Sequence, residues 1–412
     1  MRTLFSRSTP AGISATAIVL LSCAPFVGCA APLDATASDD LATASSAIIH
    51  GEPSPESENA AVAVVHTSGG GFAGGCSGVI VAPTLVLTAR HCVSQTEAGG
   101  LACTKEGKSV AGGGVLKDYL PADLAILVGP KASFSFAARG KKIVHNGATN
   151  LCNNDLALII LDKPITGTPI ASVRLDTAPN KGDLMTAVGW GQSDSSGIAR
   201  RHRQHIPIMA VGPATWRGGG VGPAELGVGE SICSGDSGGP AFDEVTGAVI
   251  AVVSRGGNGN PDTSSPINQC IDTTEYKTGN YYMRTDGFKD LILSAFTEAG
   301  EKPWLEGMPD PRKAGFGATC AAPDDCASGL CLAAGEKPFC SQACDDAKPC
   351  PDGYTCSDVG GTKVCVPTAP VTPPPAATGT SNGGCAFGAP AGAGGFFAAF
   401  AIALAANRRR RL

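Results

Sequence analysis

Aromatic and charged residues are scarce in this sequence. Aromatic residues make up 5% of the 412 positions and charged residues 16%, whereas glycine occurs 55 times. This composition is typical of a β-rich body with many turns. A chain of this length is too long for one compact core, so we expect two or three modules.

Positive charge is also scarce away from the two ends of the chain. Residues 1–29 and 384–412 together hold six of the 31 basic residues and no acidic residue, which leaves 25 basic against 36 acidic residues between them. Phosphate binding needs clustered Lys and Arg, so we expect no nucleic-acid partner. No pattern indicates a nucleotide or a metal, and we predict no cofactor.

The 17 cysteines are many for a cytosolic protein and indicate export to an oxidising compartment. Six lie between Cys76 and Cys270, eight lie between Cys320 and Cys365, and Cys385 stands alone. Two even groups predict two separate disulfide frameworks.

Residues 315–366 hold the eight clustered cysteines in a segment too small to build its own core. Four disulfides would stabilise such a module. Zinc is the alternative, but the segment has no histidine and no Cys-x-x-Cys pair, which favours disulfides. The module could bind a ligand at the cell surface.

The first 29 residues are typical of an export signal, with Arg2 and Arg7 before a short apolar stretch at Ala15 to Leu21. Lipidation at a cysteine and ordinary cleavage near Ala30 both remain open. Residues 30–47 are small and polar and are interpreted as a propeptide.

Residues 48–298 carry short β-branched runs between Gly and Pro turns, which predict an all-β barrel or sandwich. Apolar residues at helical spacing between Asp286 and Thr297 predict a closing amphipathic helix. Residues 299–314 are expected to be a polar linker.

Residues 367–383 are rich in Pro and Thr and predict a stiff linker. Residues 384–412 combine Cys385, an apolar stretch and four arginines, and resemble the C-terminal sorting signal of myxobacterial surface proteins. The resemblance implies a sorting enzyme that acts at Cys385. A plain membrane anchor is the alternative.

Three short motifs carry the chemistry: residues 89–92 around His91, residues 155–158 after Asp155, and the Gly-Asp-Ser-Gly-Gly-Pro run at 235–240 around Ser237. A serine hydroxyl is a poor nucleophile until a base removes its proton. An imidazole can take that proton, and a buried carboxylate holds the imidazole in the required tautomer.

These motifs, in the order His, Asp, Ser, resemble the trypsin/chymotrypsin family of serine proteases. Residues 189–191, Gly-Trp-Gly, and residues 254–256, Ser-Arg-Gly, add to the likeness, with Arg255 in place of the family's Trp. The resemblance covers roughly residues 48–298. It implies two six-stranded antiparallel β-barrels and a secreted endopeptidase that acts on protein or peptide substrates.

The resemblance also implies roles for single residues. The backbone amides of Gly235 and Ser237 would form the oxyanion hole, and the strand with Ser254 and Gly256 would pair with substrate. Two disulfides are implied, Cys76–Cys92 and Cys233–Cys270. Cys103 and Cys152 remain and could pair with each other.

Residues 48–51 resemble the family's mature N-terminus, so cleavage before Ile48 would free an ammonium group that pairs with Asp236. No Arg or Lys precedes Ile48, which argues against a trypsin-like activator. The floor of the specificity pocket falls on Ser231, where trypsin-type enzymes have Asp. Ile232 and Asn280 add bulk, so we expect a shallow pocket for an apolar or small side chain.

Other functions remain open from the sequence. The same fold could serve as a catalytically silent adhesion or binding protein, but that reading is disfavoured because all three reacting residues are present. A structural surface protein, in which the Ser237 turn has no catalytic role, is disfavoured by the order of the motifs.

Overall fold

The structure is a computed structural model that describes residues 48–69, 71–130, 136–191, 199–333 and 337–368. The expected signal, propeptide and sorting segments, with Cys385, lie outside the described residues. Among the described residues, no helix has the length and apolar character needed to cross a membrane.

The first half of the body is a closed antiparallel barrel with the strand order β10-β11-β4-β3-β2-β9. β4 and β11 are buried throughout, and their apolar side chains fill the barrel. The strands up to residue 161 are β1 Glu52–Pro53, which joins the sheet of the second half, the six barrel strands, and two small hairpin-like pairs, β5 with β8 and β6 with β7. Their bounds are β2 Ala61–Ser68, β3 Gly71–Ala82, β4 Leu85–Thr88, β5 Ser94–Thr96, β6 Ala102–Cys103, β7 Ser109–Ala111, β8 Val115–Asp118, β9 Leu124–Leu127, β10 Phe136–Val144 and β11 Ala157–Leu161.

The second half is an eight-stranded sheet with the order β1-β13-β12-β18-β19-β20-β17-β14, whose edges are two-residue strands. The predicted all-β, two-barrel class is confirmed. The second half differs from the expected six-stranded barrel in that eight strands are hydrogen-bonded in one sheet. Its strands are β12 Leu184–Gly189, β13 Arg201–Pro207, β14 Ala210–Val211, β15 Ala214–Trp216, β16 Gly219–Val221, β17 Glu225–Val228, β18 Pro240–Asp243, β19 Val249–Gly257 and β20 Gly279–Arg284.

The predicted closing helix is also confirmed, as α1 Lys289–Ala299. Ile292, Ala295 and Phe296 recur at helical spacing and are buried against the core, which explains why the segment is helical. Gly300 ends the helix with φ +71°, a conformation that glycine adopts without steric cost. Short 3₁₀ turns lie at Glu56–Glu58, Arg90–Cys92, Pro121–Asp123, Pro266–Gln269, Asp286–Phe288 and Pro323–Asp325.

The segment after α1, predicted as a polar linker, contacts the two-barrel body. Leu305 forms a parallel bridge with Val173, and Glu306 binds the Arg174 guanidinium through two hydrogen bonds of 2.6 Å. Trp304 packs on the core of the first barrel. We call residues 301–310 the strap.

The cysteine-rich module contains four disulfides: Cys320–Cys331, Cys326–Cys340, Cys344–Cys356 and Cys350–Cys365. Its strands form two hairpins, β21 Cys331–Leu332 with β22 Phe339–Cys340 and β23 Tyr354–Val359 with β24 Thr362–Pro367. The buried centre of the first hairpin consists mostly of cystines, so the crosslinks replace an apolar core.

Candidate active site

His91 and Asp155 meet because of the register between two strands of the first barrel. Thr88, at the end of β4, pairs with Ala157, at the start of β11. Both flanking segments therefore leave the barrel at the same edge. His91 lies in the 3₁₀ turn that follows β4, and Asp155 lies just before β11.

The His91 imidazole and the Asp155 carboxylate are hydrogen-bonded. Nδ1 of His91 lies 2.8 Å from Oδ2 of Asp155, and the backbone amide of His91 donates to Oδ1 at 2.9 Å. The carboxylate is fully buried, whereas the imidazole is 23% exposed. One carboxylate thus fixes both the ring and the backbone of His91 and leaves Nε2 available for proton transfer.

The pKa values of His91 and Asp155 are shifted in opposite directions. Burial alone would lower the pKa of His91, but the charge and hydrogen bond of Asp155 outweigh it and raise that pKa above 6.5. Burial would raise the pKa of Asp155, but the charge of His91 and the hydrogen bonds that the Asp155 carboxylate accepts lower that pKa below 3.8. The pair is therefore arranged to stabilise an imidazolium beside a carboxylate.

A third contact to Asp155 comes from Ser254 on β19. Its hydroxyl donates to Oδ2 at 2.7 Å, and the residue is buried. The family resemblance implies that Ser254 lies in the strand that pairs with substrate, but it does not imply this side-chain contact. A serine two positions before Gly256 carries no sequence signal that points to a distant aspartate.

Ser237 lies in a turn that packs directly against the segment before His91. Its carbonyl accepts the amide of Ser77 at 2.7 Å and lies 3.4 Å from Sγ of Cys92. A Cβ on Gly238 would come within 2.1 Å of Oγ1 of Thr88, and its φ is +77°. Only glycine fits at this approach, which brings Ser237 beside the histidine turn.

The amides of the Ser237 turn differ in their hydrogen bonding. Those of Asp236, Gly238 and Gly239 donate to backbone carbonyls at 2.8–3.1 Å. Those of Gly235 and Ser237 donate to no acceptor within the part of the chain that the structure describes. Gly235 has φ +96°, which permits the sharp bend. These two amides are the donors that the sequence predicts for the oxyanion hole.

Asp236 is fully buried beneath the turn. Oδ2 accepts the backbone amides of Ile48 at 3.2 Å and Cys233 at 2.9 Å, and Oδ1 accepts that of Gly191 at 2.8 Å. Burial outweighs these three bonds and raises the pKa of Asp236 to about 7. The structure thus brings Ile48 and Asp236 together, as the sequence resemblance implies.

A cavity of about 180 Å³ opens beside Ser237. It is lined by Ser254, Gly256 and Asn280 among others, and no carboxylate lies among its described lining residues. Ser231 is fully buried and does not line it; its hydroxyl accepts the Asn280 amide at 3.1 Å. A Cβ on Gly256 would lie 1.9 Å from Oδ1 of Asn280, so Asn280 fills space here.

Three disulfides fasten these segments, and two are the pairs that the resemblance implies, Cys76–Cys92 and Cys233–Cys270. The third joins Cys103 to Cys152 and holds the turn before Asp155. Each group of potential metal ligands found among the described residues includes such bonded cysteines, whose sulfurs are not free thiolates.

Comparison with known proteins agrees with this architecture. The profile of the family described as Trypsin matches residues 48–278, which is more than half of the chain. The chain belongs to the trypsin family of serine proteases.

The similar curated proteins are also serine protease relatives. Chymotrypsin-like elastase family member 3B of Macaca mulatta is 28% identical over 214 residues, which covers 48% of this chain and 76% of that protein. Trypsin of Saccharopolyspora erythraea is 26% identical over 209 residues, covering 47% of this chain and 80% of that protein. A solved structure, the scabies mite inactivated protease paralogue S-I1, aligns with a TM-score of 0.41 and 15% identity over 60% of this chain and 99% of that chain.

Proposed function

We propose that this protein is an exported serine endopeptidase that cleaves peptide bonds through an acyl-enzyme. Ser237 is the nucleophile, His91 is the general base and Asp155 orients the base. The observation that carries the proposal is the hydrogen bond of 2.8 Å between the partly exposed His91 imidazole and the buried Asp155 carboxylate, next to a partly exposed Ser237 in a tight glycine turn.

The proposed reaction uses these groups in order. Nε2 of His91 takes the proton from the Ser237 hydroxyl as that oxygen attacks the substrate carbonyl, and later gives the proton to the leaving amine. The amides of Gly235 and Ser237 stabilise the oxyanion that forms. Each such donor is worth about 3 kcal/mol. Water then attacks the acyl-enzyme with His91 again as base.

Activation is proposed to follow cleavage before Ile48. The cut would place an ammonium group near the Asp236 carboxylate, where an amide now lies 3.2 Å away. A buried carboxylate is costly without a cation, and the pKa of about 7 for Asp236 reflects that cost. The new pair would order the adjoining turn, including the amides of Gly235 and Ser237.

The proposed substrates carry a small or apolar side chain before the scissile bond. The absence of a carboxylate among the described lining residues leaves an Arg or Lys side chain without an ion pair. Asn280 narrows the cavity against Gly256. A peptide library tests this preference, and strong selection for Arg or Lys would contradict it.

The nucleophile is tested with a fluorophosphonate probe on the full chain, exported and cut before Ile48. We expect the wild-type protein to be labelled and Ser237→Ala to remain unlabelled. Ser234→Ala, which removes an exposed hydroxyl in the same turn, is the matched control and should keep its label. Equal labelling of wild type and Ser237→Ala would show that Ser237 is not the nucleophile. If neither protein is labelled, the result would favour a catalytically silent binding protein.

Export is proposed on the strength of the seven disulfides, which fit an oxidising compartment. Surface attachment through Cys385 and a ligand for the cysteine-rich module remain proposals from the sequence.

A further inference from the structure

A buried ion pair lies beside the candidate active site, between Arg255 and Glu225. The two terminal nitrogens of the Arg255 guanidinium, Nη1 and Nη2, donate to Oε1 and Oε2 of Glu225 at 2.5 and 2.7 Å. Glu225 is fully buried and the Arg255 side chain is 9% exposed. Arg255 also donates to the carbonyl of Gly220 at 2.8 Å and lies 4.4 Å from the Tyr281 ring.

The carboxylate of Glu225 reaches the segment that carries Asp155. Oε1 accepts the backbone amide of Asn153 at 3.2 Å, and Oε2 accepts that of Gly222 at 2.8 Å. In return, the Asn153 side chain accepts the amide of Ala224 at 2.6 Å. Asn153 has φ +60°, a left-handed conformation that asparagine tolerates better than most residues.

The other end of the ion pair lies next to a residue that contacts Asp155. Arg255 directly follows Ser254, whose hydroxyl donates to the Asp155 carboxylate. Asn153, whose backbone amide donates to Glu225, lies two residues before Asp155 in the chain. The pair therefore links both backbone segments that hold this carboxylate, β19 through Arg255 and the turn before β11 through Glu225.

We propose that Arg255 and Glu225 are positioning residues for the hydrolytic reaction, since their ion pair fixes β19 and the 153–155 turn at the spacing that aims Asp155 at His91. The inference rests on the proposed function, because it requires a working base. The positioning role of both side chains acts through Asp155, and Arg255 in addition lines the cavity beside Ser237. A buried ion pair adds little net stability over an apolar pair of the same size, whereas its directed bonds define geometry.

The test uses the full chain, cut before Ile48, in four variants. Glu225→Gln and Arg255→Met each break the pair, and the double variant removes it without leaving a lone charge. Arg174→Met is the control, because Arg174 forms a bidentate, partly buried pair with Glu306, also binds Asp243, and contacts none of the proposed site residues. Each variant is measured for melting temperature, fluorophosphonate labelling, kcat, KM and the pH dependence of kcat/KM.

We expect Glu225→Gln and the double variant to lose roughly 10- to 100-fold in kcat, the cost of a small misplacement of a catalytic group. KM should change much less in Glu225→Gln, whose side chain does not line the cavity, whereas the double variant also alters Arg255, which does. In both variants the acid limb of kcat/KM should move to lower pH, because a displaced Asp155 stabilises the imidazolium less. Arg174→Met should lower the melting temperature and leave kcat and the acid limb unchanged.

Two failures are distinguishable. If wild type is not labelled by the probe, the proposed function fails. If wild type is labelled and the double variant, assayed well below its melting temperature, keeps the wild-type kcat and acid limb, the pair is merely structural and the inference is overturned. Should a single variant fail to fold, the double variant decides the question, because it buries no unpaired charge.

Discussion

Asp155 is fully buried, yet three hydrogen bonds favour its charged form. Two come from His91 and one from the Ser254 hydroxyl, at 2.7–2.9 Å. With the opposite charge of His91 they outweigh the desolvation of the carboxylate, so its pKa lies below 3.8 while that of His91 lies above 6.5. The same contacts fix the ring orientation, so electrostatics and geometry cannot be separated at this residue.

We predict that Asp155→Asn lowers kcat/KM on the order of 10⁴-fold, because the amide can hold the imidazole in the wrong tautomer. His91 must be neutral to act as base, so wild-type activity should fall as the pH drops through a value above 6.5. In Asp155→Asn the carboxylate that raises the pKa of His91 is lost, so burial lowers that pKa and the acid limb of kcat/KM moves to lower pH.

Steady-state kinetics from acid to neutral pH check this prediction. Asp162→Asn, which alters an exposed carboxylate in the same part of the first barrel, is the control and should behave as wild type. An unchanged acid limb in Asp155→Asn would show that Asp155 does not set the charge of the base.

Among the elements, the strap joins parts of the body that are distant in sequence. Glu301 accepts the Thr84 hydroxyl and amide at 2.6 and 3.1 Å, and Glu306 binds Arg174. Trp304 packs on the first barrel, and Leu305 bridges to Val173 next to β19. The sequence predicts a polar linker here. Its contacts with the body are not evident from the sequence, because the few apolar residues that make them follow no periodic pattern.

We predict that a chain ending at Gly300 is less stable than one ending at Lys313, which keeps the strap. Loss of the Trp304 and Leu305 contacts should cost about 3 kcal/mol. For a domain of this size, that corresponds to a fall in Tm of roughly 6–12 °C. Scanning calorimetry of the two chains, both carrying Ser237→Ala to prevent self-cleavage, measures the difference. Equal melting temperatures would show that the strap contributes nothing to stability.

At the scale of the whole molecule, the start of the two-barrel body is anchored in the second half of the chain. β1 pairs with β13, Arg203 donates to the carbonyl of Ile49, and Ile48 lies beside Asp236. The beginning of the domain therefore completes the region around the Ser237 turn, which is consistent with control by a single cut.

We predict that stability depends on pH differently before and after that cut. In the uncut chain the pKa of Asp236 rises from 3.8 to about 7 on folding. The contribution of Asp236 to the free energy of unfolding is therefore complete below pH 3.8 and is lost as the pH rises toward about 7. After the cut, the Ile48 ammonium favours the ionised carboxylate, so this loss should shrink.

The experiment uses Ser237→Ala protein in which a specific protease site replaces residues 43–47. The melting temperature is measured before and after cleavage, at about pH 4.5 and about pH 7.5, which bracket most of the Asp236 titration. Asp236→Asn in the uncut chain should flatten the difference between the two pH values. An identical pH dependence of the cut and uncut forms would contradict the role given to Asp236.

Much of the fold class could be predicted from the sequence, but several contacts of the site could not. The three motifs singled out His91, Asp155 and Ser237, and the glycines around Ser237 indicated the turn. Nothing local indicated that Ser254 reaches Asp155 or that Arg255 turns toward Glu225, 30 positions earlier. Such contacts depend on which strands pair, and pairing depends on the whole sheet.

The sequence by itself determined the kinds of groups available: a hydroxyl in a glycine turn, an imidazole, a carboxylate, and cysteines in even groups. Those properties are covalent and local, so they hold before any folding. Only the tertiary structure decided the distances, because strand register sets which chain ends share an edge. Register likewise decided that Asn280 rather than Ser231 lines the cavity, and that one buried ion pair joins both segments around Asp155.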